Sequence, residues 1–177
     1  MPLPTEQRIR FAVVGCGHIG KRHADMIRRH PECELVALCD TRPKDELGLE
    51  GFDAPWFPDL EAMLTAVPGI EVVNICTPNG LHAPQSIKAL EARKHVVCEK
   101  PMALTKASCE AVLYKALQVH RTVFGVMQNR YSPPSQWIKG VVDQGLLGDI
   151  HLVQVNCYWN RDERYYKPGS WKGTADL

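Results

Sequence analysis

Residues 9–20 read IRFAVVGCGHIG, and no other segment indicates the fold of this sequence as clearly. It opens with an apolar, β-branched run that predicts a strand, and it closes with the pattern Gly15-x-Gly17-x-x-Gly20. Residues 21–29 follow with apolar side chains at helical spacing, so the predicted order is strand, glycine turn and helix. In that order the first glycine allows a tight turn, the second lets the backbone approach a pyrophosphate, and the third lets helix and strand pack closely.

His18 and Ile19 lie inside the glycine turn, directly before the predicted helix. A helix N-terminus offers free N–H groups and the positive end of the helix dipole, and both favour a bound phosphate. The alternative is a glycine-rich turn without a ligand. The strand before the turn and the helix after it favour dinucleotide binding.

A second strand is predicted over residues 34–39, and it ends at Asp40, twenty residues after the glycine pattern. A carboxylate there can accept hydrogen bonds from the adenosine ribose hydroxyls, and it repels the extra phosphate of NADP, so NAD is the expected cofactor. Arg42 keeps NADP open, because an arginine at this place can turn onto a 2′-phosphate. The structural alternative is that Asp40 only starts the next turn.

The rest of the first 127 residues alternates between strands and helices. Further strands are predicted at residues 72–76, 95–98 and 123–127. Helices are predicted at residues 59–64, 85–92 and 105–118, and a loop-rich connection at residues 41–58. This alternation predicts an α/β fold, a doubly wound parallel sheet of the Rossmann type, and we assign residues 1–127 to an NAD-binding domain.

Residues 128–177 predict the start of a second domain. A helix is expected over residues 133–143, and the alternating apolar pattern of residues 150–159 predicts a long strand. One helix and one strand bury little, so the strand should pair with something. We therefore expect the first helix and strand of an incomplete α/β substrate and oligomerisation domain, in a chain that is truncated and continues naturally beyond Leu177.

Composition excludes several classes of function. The chain has 177 residues, 45% hydrophobic and 23% charged, with a net charge of +1, which is typical of a globular protein without a nucleic-acid or membrane partner. Its seven cysteines contain no C-x-x-C pair and no zinc-like spacing, so we expect reduced thiols and no metal. The N-terminal residues do not resemble a signal peptide, and we expect a cytoplasmic protein.

Polar residues follow the strand predicted at residues 72–76, namely Thr77, Pro78, Asn79 and, slightly later, His82. Ligands of doubly wound sheets bind beyond the carboxyl ends of the strands, where the sheet order reverses. We expect the nicotinamide ribose and the substrate to meet near these four residues. The alternative is an ordinary turn at Pro78 and Asn79, with His82 on the surface.

Lys100 follows the strand predicted at residues 95–98, within the motif Glu99-Lys100-Pro101. It should project at the same edge, beside the reactive end of the cofactor. A lysine there can polarise a substrate hydroxyl, and partial desolvation could lower its pKa and let it relay the proton during hydride transfer. The alternative is a solvated loop lysine. The Lys100–Pro101 bond could also be cis, which would aim the side chain.

The glycine turn, the run Cys76-Thr77-Pro78-Asn79 with His82, and the run Val97-Cys98-Glu99-Lys100-Pro101 together resemble the glucose-fructose oxidoreductase and inositol dehydrogenase (Gfo/Idh/MocA) family. The resemblance spans nearly the whole chain. It implies an NAD(P)-dependent dehydrogenase with a Rossmann domain to about Met127, followed by a domain built on a large open sheet. It also implies that Glu99 and Lys100 contact the nicotinamide ribose, with Lys100 catalytic.

The end of the chain, RDERYY at 161–166 and WKGT at 171–174, is similar to bacterial UDP-N-acetylglucosaminuronate 3-dehydrogenases of surface-polysaccharide synthesis. This similarity implies further contacts to cofactor and sugar nucleotide. The residues concerned are Gln128 for the cofactor and Tyr165, Tyr166, Trp171 and Lys172 for the substrate. Family members continue with a double glycine and then a catalytic aspartate and histidine. We therefore expect turnover by residues 1–177 alone to be slow or absent.

The sequence supports two hypotheses of function. The first is an NAD-dependent dehydrogenase that oxidises a ring hydroxyl of a small-molecule sugar or sugar nucleotide, and the resemblance implies a homo-oligomer formed through the second-domain sheet. The alternative is a non-catalytic dinucleotide-binding module that associates through the exposed strand at residues 150–159. Which sugar and which carbon are involved stays open.

Overall fold

The computed structural model describes residues 8–166 and 170–174. The chain divides into two compact units, the first running to Val126 and the second beginning at Met127. The strands of the first unit are β1 (Ile9–Val14), β2 (Cys33–Cys39), β3 (Trp56–Phe57), β4 (Val72–Ile75), β5 (His95–Cys98) and β6 (Val123–Gly125). Its α-helices are α1 (His18–Arg29), α2 (Leu60–Ala66), α3 (His82–Glu91) and α4 (Lys106–Gln118).

The strands form one 6-stranded sheet in the order β3-β2-β1-β4-β5-β6, and every pair is parallel. Their carboxyl ends therefore meet at one edge: Val14 lies opposite Cys39 of β2 and Ile75 of β4, and Ile75 lies opposite Cys98 of β5. The chain order reverses between β1 and β4, which is the switch point where doubly wound folds bind ligands. The predicted Rossmann sheet is confirmed.

Apolar side chains cover both faces of the sheet. On one face Val13 of β1 packs in a buried cluster with Ala24 and Ile27 of α1. On the other face Ala12 and Val14 pack in a second cluster with residues of α2, α3 and α4. Burial on both faces explains why the strands read as continuous apolar runs in the sequence, since a half-exposed strand would alternate.

Two helices begin at side-chain caps. Asp59 accepts the N–H of Ala62 at 2.8 Å at the start of α2, as its position in the sequence predicts. Thr105 accepts the N–H of Ser108 at 3.1 Å at the start of α4. Each cap pairs an amide that the first turn of a helix leaves free. None of the helices that the structure describes is long and apolar enough to cross a membrane.

The first unit differs from the predicted elements in several places, among them the start of α3 at His82 rather than at residue 85 and the end of β6 at Gly125 rather than at residue 127. The connection expected to be loop-rich, residues 41–58, contains the two-residue strand β3 and a 3₁₀ turn at Lys44–Leu47. A strand of two residues has no periodicity that a sequence could reveal. Helix α1 begins at His18 rather than at residue 21, so the helix starts directly after Gly17.

The second unit contains a 3₁₀ turn at Gln128–Tyr131 and the helix α5 (Pro133–Asp143), which confirms the helix predicted there. The strand predicted over residues 150–159 is wrong: these residues form neither strand nor helix, and all are exposed. A strand needs a neighbour for its backbone hydrogen bonds. No strand within residues 8–166 and 170–174 pairs with this stretch, so its apolar alternation has no sheet to join.

Candidate functional site

The glycine turn after β1 is held by close backbone contacts. Gly15 has φ +87°, and a Cβ there would lie 2.7 Å from the backbone of Cys76 and Thr77. A Cβ on Gly20 would lie 1.8 Å from the carbonyl oxygen of Gly15. Both positions therefore exclude any side chain. Gly17 differs, because a Cβ there would meet nothing within 4 Å, so this glycine faces open space.

Helix α1 presents its N-terminus beside that open space. Gly17 is the N-cap, and no side chain of the described residues caps the first turn. His18 is exposed and Ile19 is half-buried, and both lie in this turn. The first turn of α1 contains no acidic residue. Its free amides and dipole therefore suit an anionic group, as the glycine pattern predicts.

Asp40 connects the end of β2 to the glycine turn. Its Oδ2 accepts the backbone N–H of Cys16 at 2.8 Å, and its Oδ1 accepts the backbone N–H of Arg42 at 3.0 Å. The Arg42 guanidinium lies 3.4 Å from the same Oδ1, and that side chain is 54% exposed, so it is free to turn elsewhere. Asp40 thus lies beside the turn, as expected, and each carboxylate oxygen keeps lone pairs for a further donor.

The residues after β4 lie at the same edge of the sheet. Thr77, Pro78 and Asn79 are half-buried, and Asn79 opens a 3₁₀ turn that leads into α3. The Thr77 hydroxyl donates to Oε1 of Gln85 at 2.6 Å. The loop lies directly beside the glycine turn, because a Cβ on Gly15 would collide with the backbone of Cys76 and Thr77.

His82 lies beneath this edge with only 1% of its surface exposed. One ring nitrogen lies 2.6 Å from the carbonyl oxygen of Pro101 and the other 2.7 Å from that of Thr77. Both nitrogens are therefore engaged within the protein. The ring joins the loop after β4 to the loop after β5, so it contributes to the site by holding these two loops together.

Glu99 and Lys100 follow β5. Glu99 is buried, with 7% exposed, whereas the Lys100 side chain is exposed and the Lys100–Pro101 bond is cis. The first unit therefore does not bury the Lys100 side chain, and the partial desolvation expected from the sequence is not seen there. Burial opposes ionisation of Glu99, but hydrogen bonds from His23 and from the Lys100 N–H, with the positive charge of Lys100, hold the pKa of Glu99 below its ordinary value.

Two polar residues linked to Glu99, the half-buried His23 and the buried Asn74, are absent from the site predicted by sequence. His23, on α1, has Nε2 3.1 Å from Oε1 of Glu99, and Asn74, in β4, has Nδ2 3.0 Å from Nδ1 of His23. The signal that could have found them is Asn74, a lone polar residue in the apolar strand Val72–Ile75. An amide buried on a central strand requires a partner.

In the second unit the structure brings together most of the candidate substrate residues. The Tyr165 and Tyr166 rings lie edge to face with centroids 4.9 Å apart, and Nζ of Lys172 lies 4.0 Å from the Tyr165 ring centre. Trp171 is half-buried and accepts the Thr174 hydroxyl through its carbonyl oxygen. Gln128, the candidate cofactor residue of this unit, is exposed in its 3₁₀ turn.

The residues that the structure describes contain no group of three or more His, Cys, Asp or Glu side chains that could hold a metal ion. The polar groups at the sheet edge instead suit an organic anion with hydroxyl groups. The free amides of α1 provide donors, and the carboxylates of Asp40 and Glu99 provide acceptors.

Residues 9–126 match the sequence profile GFO_IDH_MocA, described as an oxidoreductase family with an NAD-binding Rossmann fold. This match covers more than half of the chain. The chain belongs to the Gfo/Idh/MocA oxidoreductase family. Similar curated proteins include the D-glucoside 3-dehydrogenase of Escherichia coli strain K12, 33% identical over 86% of this chain and 44% of that protein. The inositol 2-dehydrogenase of Rhizobium meliloti is 27% identical over 83% of this chain and 44% of that protein.

Solved structures similar to this Gfo/Idh/MocA chain include two WlbA dehydrogenases, each in complex with NADH and UDP-GlcNAcA. The Chromobacterium violaceum protein is 34% identical, with a TM-score of 0.91 over 100% of this chain and 52% of that one. The Bordetella pertussis protein is 36% identical, with a TM-score of 0.89 over 96% of this chain and 53% of its own. The chain therefore spans about half the length of the relatives it matches. Its resemblance to this family is confirmed.

Proposed function

We propose that this chain is the cofactor-binding part of an NAD-dependent dehydrogenase that oxidises a ring hydroxyl of a sugar or sugar nucleotide. The observation that carries this proposal is the meeting of four strand ends at one edge of the sheet. The glycine turn follows β1, Asp40 follows β2, Thr77 lies just beyond β4, and Glu99-Lys100 follows β5. The family and its sugar-oxidising relatives supply the reaction type.

The proposed cofactor site extends along this edge. The pyrophosphate would lie against the open side of Gly17 and the first turn of α1, and Asp40 would accept the adenosine ribose hydroxyls. The residues assigned to the cofactor site are Gly15, Gly17, His18, Ile19, Gly20, Asp40, Arg42, Thr77, Pro78, Asn79, His82, Glu99, Lys100 and, by family resemblance from the second unit, Gln128. Gly20 and the buried His82 would shape the site through packing and hydrogen bonds, without touching the cofactor. NAD is preferred, because Asp40 lies where the 2′-phosphate of NADP would meet a carboxylate.

Lys100 is the proposed catalytic residue. The chemistry that NAD would supply when bound is acceptance of the hydride from the ring carbon that carries the hydroxyl. The Lys100 ammonium, at the same edge as Glu99, would donate a hydrogen bond to that hydroxyl oxygen and stabilise the negative charge that develops as its proton leaves. The family resemblance gives the acceptor of that proton to a histidine in the downstream half of such enzymes. Its exposure in the first unit leaves the side chain free to meet a substrate.

The substrate class proposed is UDP-N-acetylglucosaminuronate or a similar sugar nucleotide, since the two WlbA structures contain UDP-GlcNAcA. Tyr165, Tyr166, Trp171 and Lys172 are the proposed contacts, and the grouping of Tyr165, Tyr166 and Lys172 supports them. We assign residues 128–177 to the start of a substrate and oligomerisation domain. A cytoplasmic homo-oligomer completes the proposal.

The experiment that tests this function joins residues 1–177 to the downstream half of the Bordetella WlbA dehydrogenase and measures NADH formation. We expect turnover with UDP-GlcNAcA, and about a hundredfold less or lower still in the Lys100→Ala version, with cofactor affinity nearly unchanged. Oxidation of a glucoside or an inositol instead would reassign the substrate. Binding of NAD without any turnover would favour the second candidate, a non-catalytic dinucleotide-binding module, which the exposed apolar stretch 150–159 also favours.

A further inference from the structure

A buried chain of three polar side chains crosses from β4 to the end of β5. Asn74 lies in β4 and is 4% exposed, and its Nδ2 lies 3.0 Å from Nδ1 of His23 on α1. Nε2 of His23 lies 3.1 Å from Oε1 of Glu99. The side chains of His23 and Glu99 are 15% and 9% exposed. Three buried polar groups in contact form a unit whose members depend on one another.

The order of donors and acceptors follows from chemistry. An amide NH₂ can only donate, so Asn74 donates a hydrogen bond to Nδ1 of His23, and Nδ1 must be unprotonated to accept it. The single ring proton of His23 then lies on Nε2, which donates a hydrogen bond to Glu99. Oδ1 of Asn74 is buried and has no partner among the described residues. The reversed amide would bury NH₂ hydrogens without a partner, and unpaired buried N–H groups are rarer than unpaired carbonyls. The observed orientation is therefore the better one.

The second oxygen of Glu99 is also held. Oε2 accepts the backbone N–H of Lys100 at 3.2 Å, so both carboxylate oxygens receive hydrogen bonds from opposite sides. A carboxylate fixed in this way keeps its direction and its remaining lone pairs for an outside donor. The backbone of Lys100 is fixed by the same contact.

We propose that His23, oriented by Asn74, is a positioning residue that holds the Glu99 carboxylate in place to accept a hydrogen bond from a cofactor hydroxyl. This role rests on the proposed cofactor site, but the link itself is internal to the protein. Nothing in the glycine pattern requires His23 or Asn74, since neither lies in the turn. Their function is to make the end of β5 rigid before the cofactor arrives.

The link also determines when Glu99 is charged. The titratable groups around its carboxyl are His23 on α1, Lys100 after β5, and the thiols of Cys76 and Cys98. Burial alone would raise the pKa of Glu99, and the contacts from His23 and Lys100 reverse that effect. Without His23, burial is the dominant influence on Glu99, so the pKa of Glu99 should rise. When the pH is lowered, Glu99 should therefore take up its proton at a higher pH than in the unmodified chain.

The test follows the Glu99 carboxyl carbon by ¹³C NMR in the 177-residue chain, with Glu99→Gln to assign the signal. In His23→Leu the titration midpoint should rise by about one pH unit or more, and in His23→Gln, whose amide can still donate, it should rise less. His30→Leu, at the end of the same helix, is the control and should leave the midpoint unchanged. An unchanged midpoint in His23→Leu, or equal shifts in both His23 variants, would overturn the proposal.

A second measurement needs no variant and covers the case in which His23→Leu does not fold. The ¹⁵N spectrum of the His23 ring in the unmodified chain should show the tautomer with its proton on Nε2. A proton on Nδ1 instead would contradict the link. The pH at which NAD affinity falls should rise together with the Glu99 midpoint. A shifted midpoint in a chain that never binds NAD would remove the cofactor site and leave the link standing.

Discussion

Gly17 and Gly20 belong to one motif but have different surroundings. A Cβ on Gly20 would collide with the Gly15 carbonyl oxygen, whereas a Cβ on Gly17 would enter empty space. Gly17→Ala should therefore leave the free energy of unfolding nearly unchanged, within about 0.5 kcal/mol, and weaken NAD about tenfold or more. Gly20→Ala should lower the free energy of unfolding by about 1–3 kcal/mol. Urea unfolding and calorimetric titration measure the two quantities.

The outcome of this pair separates a binding glycine from a packing glycine. If Gly17→Ala bound NAD as tightly as the unmodified chain, the open space beside Gly17 would not be the pyrophosphate site. If Gly20→Ala were as stable as the unmodified chain, the turn would have moved to accept the methyl group, and the close contact with Gly15 would not be essential.

Asp40 has both a structural and a proposed selective role. It accepts the Cys16 N–H, and the amide oxygen of Asp40→Asn can keep that bond. The substitution removes the negative charge together with the bond from the Arg42 N–H, which an amide NH₂ cannot accept. NADP should then be repelled less, and the preference for NAD should fall about tenfold. Asp45→Asn, an exposed carboxylate in the next turn, is the matched control. An unchanged ratio of the two affinities in Asp40→Asn would show that Arg42 or the turn itself sets the preference.

At the scale of elements, sequence patterns identified what local chemistry determines. Strand β5 and helix α5 have the predicted bounds, because a buried apolar run and a prolyl first turn are local signals. The two-residue strand β3 and the unpaired stretch 150–159 were misjudged, since a strand exists only through its neighbours. Among site residues, Asp40 was predictable from its spacing, whereas His23 becomes part of the site only when α1 packs on the sheet and brings its side chain to Asn74 and Glu99.

The strand ends also bury four of the seven thiols. Burial raises the pKa of Cys16 and Cys39 to about 12, that of Cys98 to about 11, and that of Cys76 further still. A raised pKa removes thiolate, the reactive form, so these four cysteines should resist alkylation at neutral and mildly alkaline pH. Cys157 is exposed and should react first. Mass spectrometry after brief iodoacetamide treatment gives the order, and early modification of Cys76 would contradict the buried strand ends.

At the scale of the whole molecule, the second unit exposes a long apolar stretch. Val153 and Val155 are 72% and 83% exposed, and such surfaces favour association. The double variant Val153→Lys with Val155→Lys should therefore sediment as a smaller species than the unmodified chain over a range of concentrations. The control is Gln154→Lys with Asn156→Lys, which adds the same charge on polar positions. Equal sedimentation of both variants would mean that charge alone, and not the apolar side chains, governs association.

We propose that the carboxyl edge of this sheet binds NAD. The measurement that tests it most directly is a calorimetric titration of the 177-residue chain with NAD and with NADP, because it tests the glycine turn, α1 and Asp40 together. Saturable binding with NAD tighter than NADP is the expected result. Binding of neither dinucleotide to a chain whose circular dichroism shows the folded α/β sheet would contradict the proposed site.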